Sequence, residues 1–288
     1  MTRSATLLCL LLALACAAAA ADAPHPALWR VEGRHSTVYL FGSVHILSPT
    51  FAWRDARIDR AVHDADGFFF ETSLDSDAIA SYVADRGSLP QGQSLRALLP
   101  APAQKNLDDD LALIGLPEAN IDSRRPWLAT IAMTAAKLTQ TGDTPAAGVD
   151  VAIMGEAQAS GKPVRYFETV EQQLALLGAD DPKLELDSFE SFLKDFRKED
   201  ADLAPLVDAW AAGDEDRMAE LLLKEIDKQP GLRKALFDDR NKAWTRTIEG
   251  VLDHESGTFL VTVGTGHLIT GRGVPALLLR AGYSVERL

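Results

Sequence analysis

The sequence predicts an α/β protein: a mixed, largely parallel central sheet flanked by helices, with a large helical insertion. Three observations predict it. Short apolar runs alternate with longer stretches in which apolar residues recur at helical spacing. One run, Gly67-Phe68-Phe69-Phe70, is apolar on both faces, as in a strand covered on both sides of a parallel sheet. Two alternating runs, at 28–32 and 37–41, flank the Gly-containing Gly33-Arg34-His35-Ser36 and predict an antiparallel hairpin.

The remaining elements follow in order. Residues 53–65 carry Ile58, Val62 and Ala65 at helical spacing among charges, which makes a β-helix-β unit with 67–70. Residues 75–147 are mostly helical, broken at 87–93, 100–102 and 115–126, with 127–138 a plainly apolar helix. Residues 148–160 predict a further helix, stopped by Gly161-Lys162-Pro163, and 164–167 a strand that ends at Glu168-Thr169. Residues 180–253 form a second, acidic helical segment, and its stripe of Phe189, Phe192, Leu193 and Phe196 is expected to pack beside the sheet. A strand at 258–263, a helix at 274–281 and a strand at 283–288 close what is expected to be one domain over 24–288.

A formal charge of -13 argues against nucleic acid as a partner, because a phosphate-tracking surface needs clustered Lys and Arg. Residues 1–23 read as a secretory signal peptide: Arg3, an apolar stretch from Leu7, then Ala17-Ala18-Ala19-Ala20-Ala21 as a cleavage zone. The apolar stretch falls short of the roughly 20 residues of a spanning helix, so no membrane span is expected and the location is periplasmic or extracellular. Both cysteines, Cys9 and Cys16, fall in this segment, so the mature chain is expected to have no disulfide and no thiolate site. The alternative is a lipid anchor at Cys16, for which Ala13-Leu14-Ala15-Cys16 is a poor signal because leucine does not stand three residues before the cysteine.

Chemistry concentrates where strands end. Gly42-Ser43-Val44-His45 and Gly264-Thr265-Gly266-His267 each follow a β-like run, and Phe70-Glu71-Thr72 and Phe167-Glu168-Thr169 repeat Phe-Glu-Thr at two more strand ends. In open α/β sheets ligands bind beyond the carboxyl ends of the strands, so His45, Glu71, Glu168 and His267 are candidates for one site. Two imidazoles and one or two carboxylates suit a divalent ion such as Mn, Co, Fe or Zn, with a position left for water and a free carboxylate as general base. Gly42, Gly264 and Gly266 are candidates for close approach to an oxyanion, since glycine allows φ > 0 and exposes backbone N–H groups. Arg240-Asn241 could supply electrostatic help to a substrate carboxylate or a developing oxyanion, if the helical segment folds back over the sheet. Blander readings stand beside these: Glu168 as a helix-start acid, Arg240 as a surface ion pair, His35, His63 and His254 as solvated, and His25 as a residue of the mature tail without a role.

With these residues in place, the chain resembles the TraB/GumN/PrgY family, to which the Tiki metalloproteases also belong. The resemblance rests on the paired Gly-x-x-His near the two ends, the strand-ending Glu71 after the first, and Arg240-Asn241 before the second. It covers essentially the whole mature chain, and Gly264-Thr265-Gly266-His267-Leu268 with Gly282-Tyr283-Ser284-Val285 resembles the bacterial GumN-like branch. It implies a fold related to the erythromycin-esterase and ChaN-like proteins, divalent-metal-dependent peptide cleavage, and His45, Glu71, Arg240 and His267 as the active-site set. The expected function is therefore an exported metal-dependent hydrolase acting on a peptide or small-molecule substrate. The alternatives are a haem-, iron- or anion-binding protein without turnover and a metal-free esterase-like hydrolase.

Overall fold

The computed structural model describes residues 23–140, 142–178, 181–197 and 204–288. The expected leader, with Cys9 and Cys16, lies outside the described residues except for Ala23. Six strands, β1 (Leu28–Glu32), β2 (Ser36–Ser43), β3 (Gly67–Phe70), β4 (Val164–Tyr166), β5 (Gly257–Gly264) and β6 (Ser284–Arg287), form one mixed sheet in the order β4-β3-β5-β2-β1-β6. The hairpin β1–β2 pairs Leu28 with Phe41 and Glu32 with Thr37, and β6 adds antiparallel to β1. β4, β3, β5 and β2 run parallel to one another. Their four carboxyl ends therefore emerge along one edge, which is the fact that positions the site.

Strand alternation sends Phe68 and Phe70 to one face and Phe69 to the other. The first face, with Phe41 and Leu260, is covered by Ile58 and Val62 of α1 (Ala56–Asp64). α1 begins later than its apolar pattern because the Asp55 carboxylate accepts the N–H groups of Arg57 and Ile58, at 2.8 and 3.1 Å. Trp53 is thereby left outside the helix to stack on Phe41, 5.9 Å between ring centroids. Between the strands come α2 (Ser76–Arg86), α3 (Leu95–Leu98), α4 (Ala101–Ile114) and α5 (Pro126–Thr139). α4 starts inside the stretch that reads as a break, since Pro102 stands in its first turn, where a missing N–H costs nothing. Val149 and Ile153 of α6 (Val149–Ala159) complete the cover of the first face.

After β4 come α7 (Val170–Ala175), α8 (Pro182–Asp195), α9 (Ala204–Ala211), α10 (Glu215–Asp227), α11 (Pro230–Arg233) and α12 (Asp239–His254), with α13 (Val274–Arg280) between β5 and β6. Trp244, Ile248 and Val251 of α12 and Leu278 of α13 bury Val38, Leu40, Phe69 and Val261 on the second face. The Phe189, Leu193 and Phe196 stripe differs from expectation. It packs on Leu107 and Leu111 of α4 and Met133 of α5, in a third core made of helices alone. Those helices carry apolar faces that satisfy one another without the sheet. Among the described residues no helix is long and apolar enough to cross a membrane.

Asp110 of α4 is fully buried in this helical layer, with Arg197 Nε 3.0 Å from its Oδ1. Burial pushes its carboxyl up to about 6, with Arg197 opposing. Because the folded value exceeds the unfolded one, the folded state keeps a proton that the unfolded state has lost between about pH 4 and 6. The Asp110 contribution to stability is therefore fully present below about pH 4 and falls by about 1–2 kcal/mol as pH rises through 6, allowing for screening near the half-exposed Arg197. Denaturant unfolding at pH 4 and pH 7 should show a smaller loss in Asp110→Asn than in the parent chain. An equal loss would remove Asp110 as its source.

Candidate active site

Glu71 follows β3 directly and Glu168 stands two residues beyond β4, and the two backbones are joined by Glu168 N–H donating to Glu71 O at 2.8 Å. Both carboxylates are nearly buried, at 11% and 12% side-chain exposure, and Arg240 of α12 joins them. Arg240 Nε and Nη2 donate to Glu168 Oε1 and Oε2 at 2.7 and 2.9 Å, a two-point fork. Nη2 also donates to Glu71 Oε2 at 2.8 Å, and Nη1 to Leu236 O and to His267 Nε2, both at 3.0 Å. These are all five donors that a guanidinium has. Leu236 belongs to a π turn, Lys234–Asp238, that leads into α12. Trp244 lies under the group, its ring 4.7 Å from the guanidinium carbon and its Nε1 donating to Glu168 Oε1 at 3.1 Å.

His267 ends a short 3₁₀ turn after β5 and is buried against Trp244 and Phe237. Arg240 can only donate, so Nε2 accepts and Nδ1 carries the proton, which it donates to Asn241 Oδ1 at 2.6 Å. Asn241 is fixed in turn by Nδ2 donating to Arg272 O at 3.0 Å. Burial pushes the His267 pKa down to about 3, Glu71 partly opposing, so the ring is neutral at pH 7. Burial would raise Glu71, but with His267 neutral the charge of Arg240 and the Gly264 amide offset it and hold the carboxyl below its ordinary value. Its Oε1 accepts from Gly264 N–H at 2.6 Å and its Oε2 from Gln173 Nε2 at 2.8 Å.

His45 differs in being exposed. It stands beyond β2 with Nδ1 3.2 Å from Asp150 Oδ1, in the first turn of α6, an ion-pair contact off the hydrogen-bond line. That contact raises the His45 pKa, with burial partly opposing. Above Gly264 the groups converge: a Cβ built there would lie 3.1 Å from Glu71 Oε1, 3.4 Å from His45 Nε2 and 3.8 Å from His267 Cδ2. The other two glycines serve packing. A Cβ at Gly42 would meet Thr265 at 2.7 Å, and one at Gly266 would meet Phe237 at 2.7 Å. Gly264 itself has φ -52, so its place here rests on space and not on left-handed backbone.

Of the four groups expected at strand ends, Glu71, Glu168 and His267 are joined by Arg240, and His45 meets Glu71 over Gly264, while Asn241 positions His267 from behind. The sequence reading missed Asp150, Gln173 and Trp244. Gly148-Val149-Asp150 carries a signal that could have found the first, an acid at a helix start near the sheet end, but helix starts favour acids anyway. Two clefts meet at these residues, of about 350 and 400 Å³, and Ser43, His45, Glu71 and Arg240 line both.

For a divalent ion the donor chemistry fits. Each imidazole faces an oxygen with Nδ1, as metal-ligating histidines do; His45 turns Nε2 toward the space over Gly264, and His267 presents its Cδ2 edge there with Nε2 on Arg240. His267 Nε2 and Glu71 Oε1 are 3.9 Å apart, a separation that two ligands at about 2.0–2.2 Å from one ion can have. The present spacing does not enclose an ion: among the described residues no group of three His, Cys, Asp or Glu could hold one. The His267 lone pair is also the one that accepts from Arg240, so an ion and this hydrogen bond exclude each other.

Gly264→Ala should fill the gap between Glu71 and His45 and lower any hydrolytic activity by about 100-fold or more, since misplacement by about 1 Å suffices. Its neighbours there are side-chain ends, so the melting temperature should move by only a few degrees. Steady-state rates beside a melting curve check this, and unchanged rates would remove the reacting atoms from that gap.

The chain is 23% identical to metalloprotease TIKI2 of Xenopus tropicalis, over 90% of this chain but 59% of that protein, so it spans somewhat more than half of that relative's length. It is 22% identical to the uncharacterised protein YbaP of Shigella flexneri, covering 85% of this chain and 88% of that one, and 22% identical to YbaP of Escherichia coli K12, covering 83% and 87%. No solved structure gives a significant match, so kinship with the erythromycin-esterase and ChaN-like folds rests on the sequence resemblance alone. Residues 27–287 match the TraB/PrgY/gumN family model, and the chain belongs to that family.

Proposed function

We propose that the chain is an exported, metal-dependent hydrolase that cleaves peptide bonds at the carboxyl ends of β2, β3 and β5. The observation that carries the proposal is the convergence of Glu71 Oε1, His45 Nε2 and His267 on the open space above Gly264. The similarity to a protein named as a metalloprotease supports peptide bonds as the target. Export follows the leader pattern at 1–23.

His45, His267 and Glu71 would hold the ion, which when bound acts as a Lewis acid and lowers the pKa of a water to near neutrality. The protein's own part is positioning. Glu71 is kept ionised by three donors, and Arg240 fixes it relative to Glu168. Asn241 holds the His267 tautomer with Nε2 unprotonated. Asp150 faces Nδ1 of His45, which leaves Nε2 of that ring to hold the ion. The cleft walls, Leu206, Leu222 and Phe237 on one side and Met154, Leu174 and Leu236 on the other, exclude water around the reacting groups.

The His45–Asp150 pair also favours a second reading, metal-free hydrolysis with His45 as general base and Asp150 as its orienting partner. Equilibrium dialysis of the purified chain against Mn, Co, Fe and Zn, with cleavage of a quenched peptide library before and after chelation, separates the two. One ion per chain, lost in a His45→Ala, His267→Ala double variant, with activity that disappears on chelation, is the expected result. Activity that survives exhaustive chelation would establish the second reading, and absence of both binding and cleavage would overturn both.

A further inference from the structure

Among the described residues eight buried side-chain polar atoms lack a hydrogen-bond partner in the protein. Four of them, Ser43 Oγ, Thr72 Oγ1, Asp150 Oδ1 and Thr262 Oγ1, belong to residues that line the same cleft of about 400 Å³ beside His45. Their grouping follows from the register. Thr262 pairs with Phe41 on one side and Phe70 on the other, and Ser43 and Thr72 lie two residues beyond those partners. Side chains two apart on a strand share a face, so Ser43 and Thr262 stand on the face that α6 covers, and Thr72 follows the end of β3 beside them in the same cleft. Ser43 is 2% and Thr262 1% exposed. Buried hydroxyls without partners are costly, and a cluster of them on one cleft wall marks a place built to bond something that enters.

The charges of the cleft say what enters. Two carboxylates face it, Glu71 and Asp150, and Arg240 is committed to Glu71, Glu168 and Leu236 O whether or not His267 holds an ion. An anion meets two carboxylates and a guanidinium already committed to carboxylates, whereas a group rich in N–H donors finds three hydroxyl oxygens without partners and Asp150 Oδ1, whose polar contact is the ion pair with His45. We infer that this wall is a subsite for a protonated primary amine of the substrate, an N-terminal ammonium or a lysine side chain. Met154, Leu174, Leu176 and Leu236 line the rest of the cleft and would take an apolar side chain beside that amine. The inference deepens the hydrolase reading and rests on it for the scissile bond alone, because binding of the amine requires no turnover.

Calorimetric titration of the full chain with L-leucine amide, N-acetyl-L-leucine amide and N-acetyl-L-lysine amide tests it. Leucine amide should bind and its acetylated form should not, which identifies an N-terminal ammonium; binding of the lysine compound instead would identify the side-chain source. Ser43→Ala and Thr262→Val should each weaken binding about tenfold, as loss of one hydrogen bond to a charged group does, and should raise the melting temperature of the free chain by removing an orphan hydroxyl. No binding of either amine, equal binding of the acetylated control, or variants that bind as well as the parent would overturn the subsite. A lowered melting temperature in both variants would overturn it too, by showing that the hydroxyls serve the fold. A chain that binds leucine amide but cleaves no peptide would refute the hydrolase and leave the subsite standing.

Discussion

Arg240→Ala is expected to destabilise the fold by about 3–5 kcal/mol, the usual penalty for leaving a buried charge without its partner. Here one cation serves two nearly buried carboxylates, so the variant would strand both Glu71 and Glu168. It would also leave the His267 lone pair and Leu236 O without their donor. Arg240→Lys keeps the charge but offers three donors to acceptors spread over a plane that five reach now. It should recover part of the stability and little of the activity. Denaturant unfolding at pH 7 reads the first effect, and a loss below about 1 kcal/mol in the alanine variant would mean that Arg240 is not the link between the carboxylates.

His45→Ala is expected to do the opposite: leave stability within about 0.5 kcal/mol, as exposed substitutions do, and lower hydrolytic activity by about 10²–10⁴-fold. Its side chain is 59% exposed and its polar contact is with Asp150, so little of the fold depends on it. Asp150→Asn should lower the pKa of His45, since the carboxylate is the main cause of its upward shift, and move the acidic limb of the pH–rate profile down with it. A His45→Ala variant that unfolds easily, or one with unimpaired turnover, would each contradict this division between a buried positioning half of the site and an exposed reactive half.

That division shows how far the sequence could be read. Strand ends were legible because apolar runs stop abruptly at Phe41-Gly42, Phe70-Glu71 and Val263-Gly264, and a parallel sheet sends such ends to one edge. The paired Gly-x-x-His patterns conceal an asymmetry that spacing alone does not carry. His267 lies in a turn packed under α12 and is buried, whereas His45 stands on the loop that approaches α6 and is exposed. The glycines were legible as positions but not as reasons, because close packing against Thr265 and Phe237 depends on residues far away in sequence or across the fold. Asp150 could not be singled out, since an acid in the first turn of a helix favours the dipole whether or not a histidine faces it. The Phe189–Phe196 stripe was legible as buried but not as to its partner: amphipathicity says that a face is covered, not by what.

The central claim is that the strand ends carrying His45, Glu71 and His267 make one hydrolytic site. Its most direct test is cleavage of a quenched peptide library by the purified chain, supplied with divalent ion, beside the His45→Ala and Glu71→Gln variants at matched folded concentration. The account predicts cleavage by the parent chain and a loss of about 10²–10⁴-fold in each variant, the usual worth of a positioned acid or base. A parent chain that cleaves nothing, or variants that cleave as fast as the parent, would contradict it.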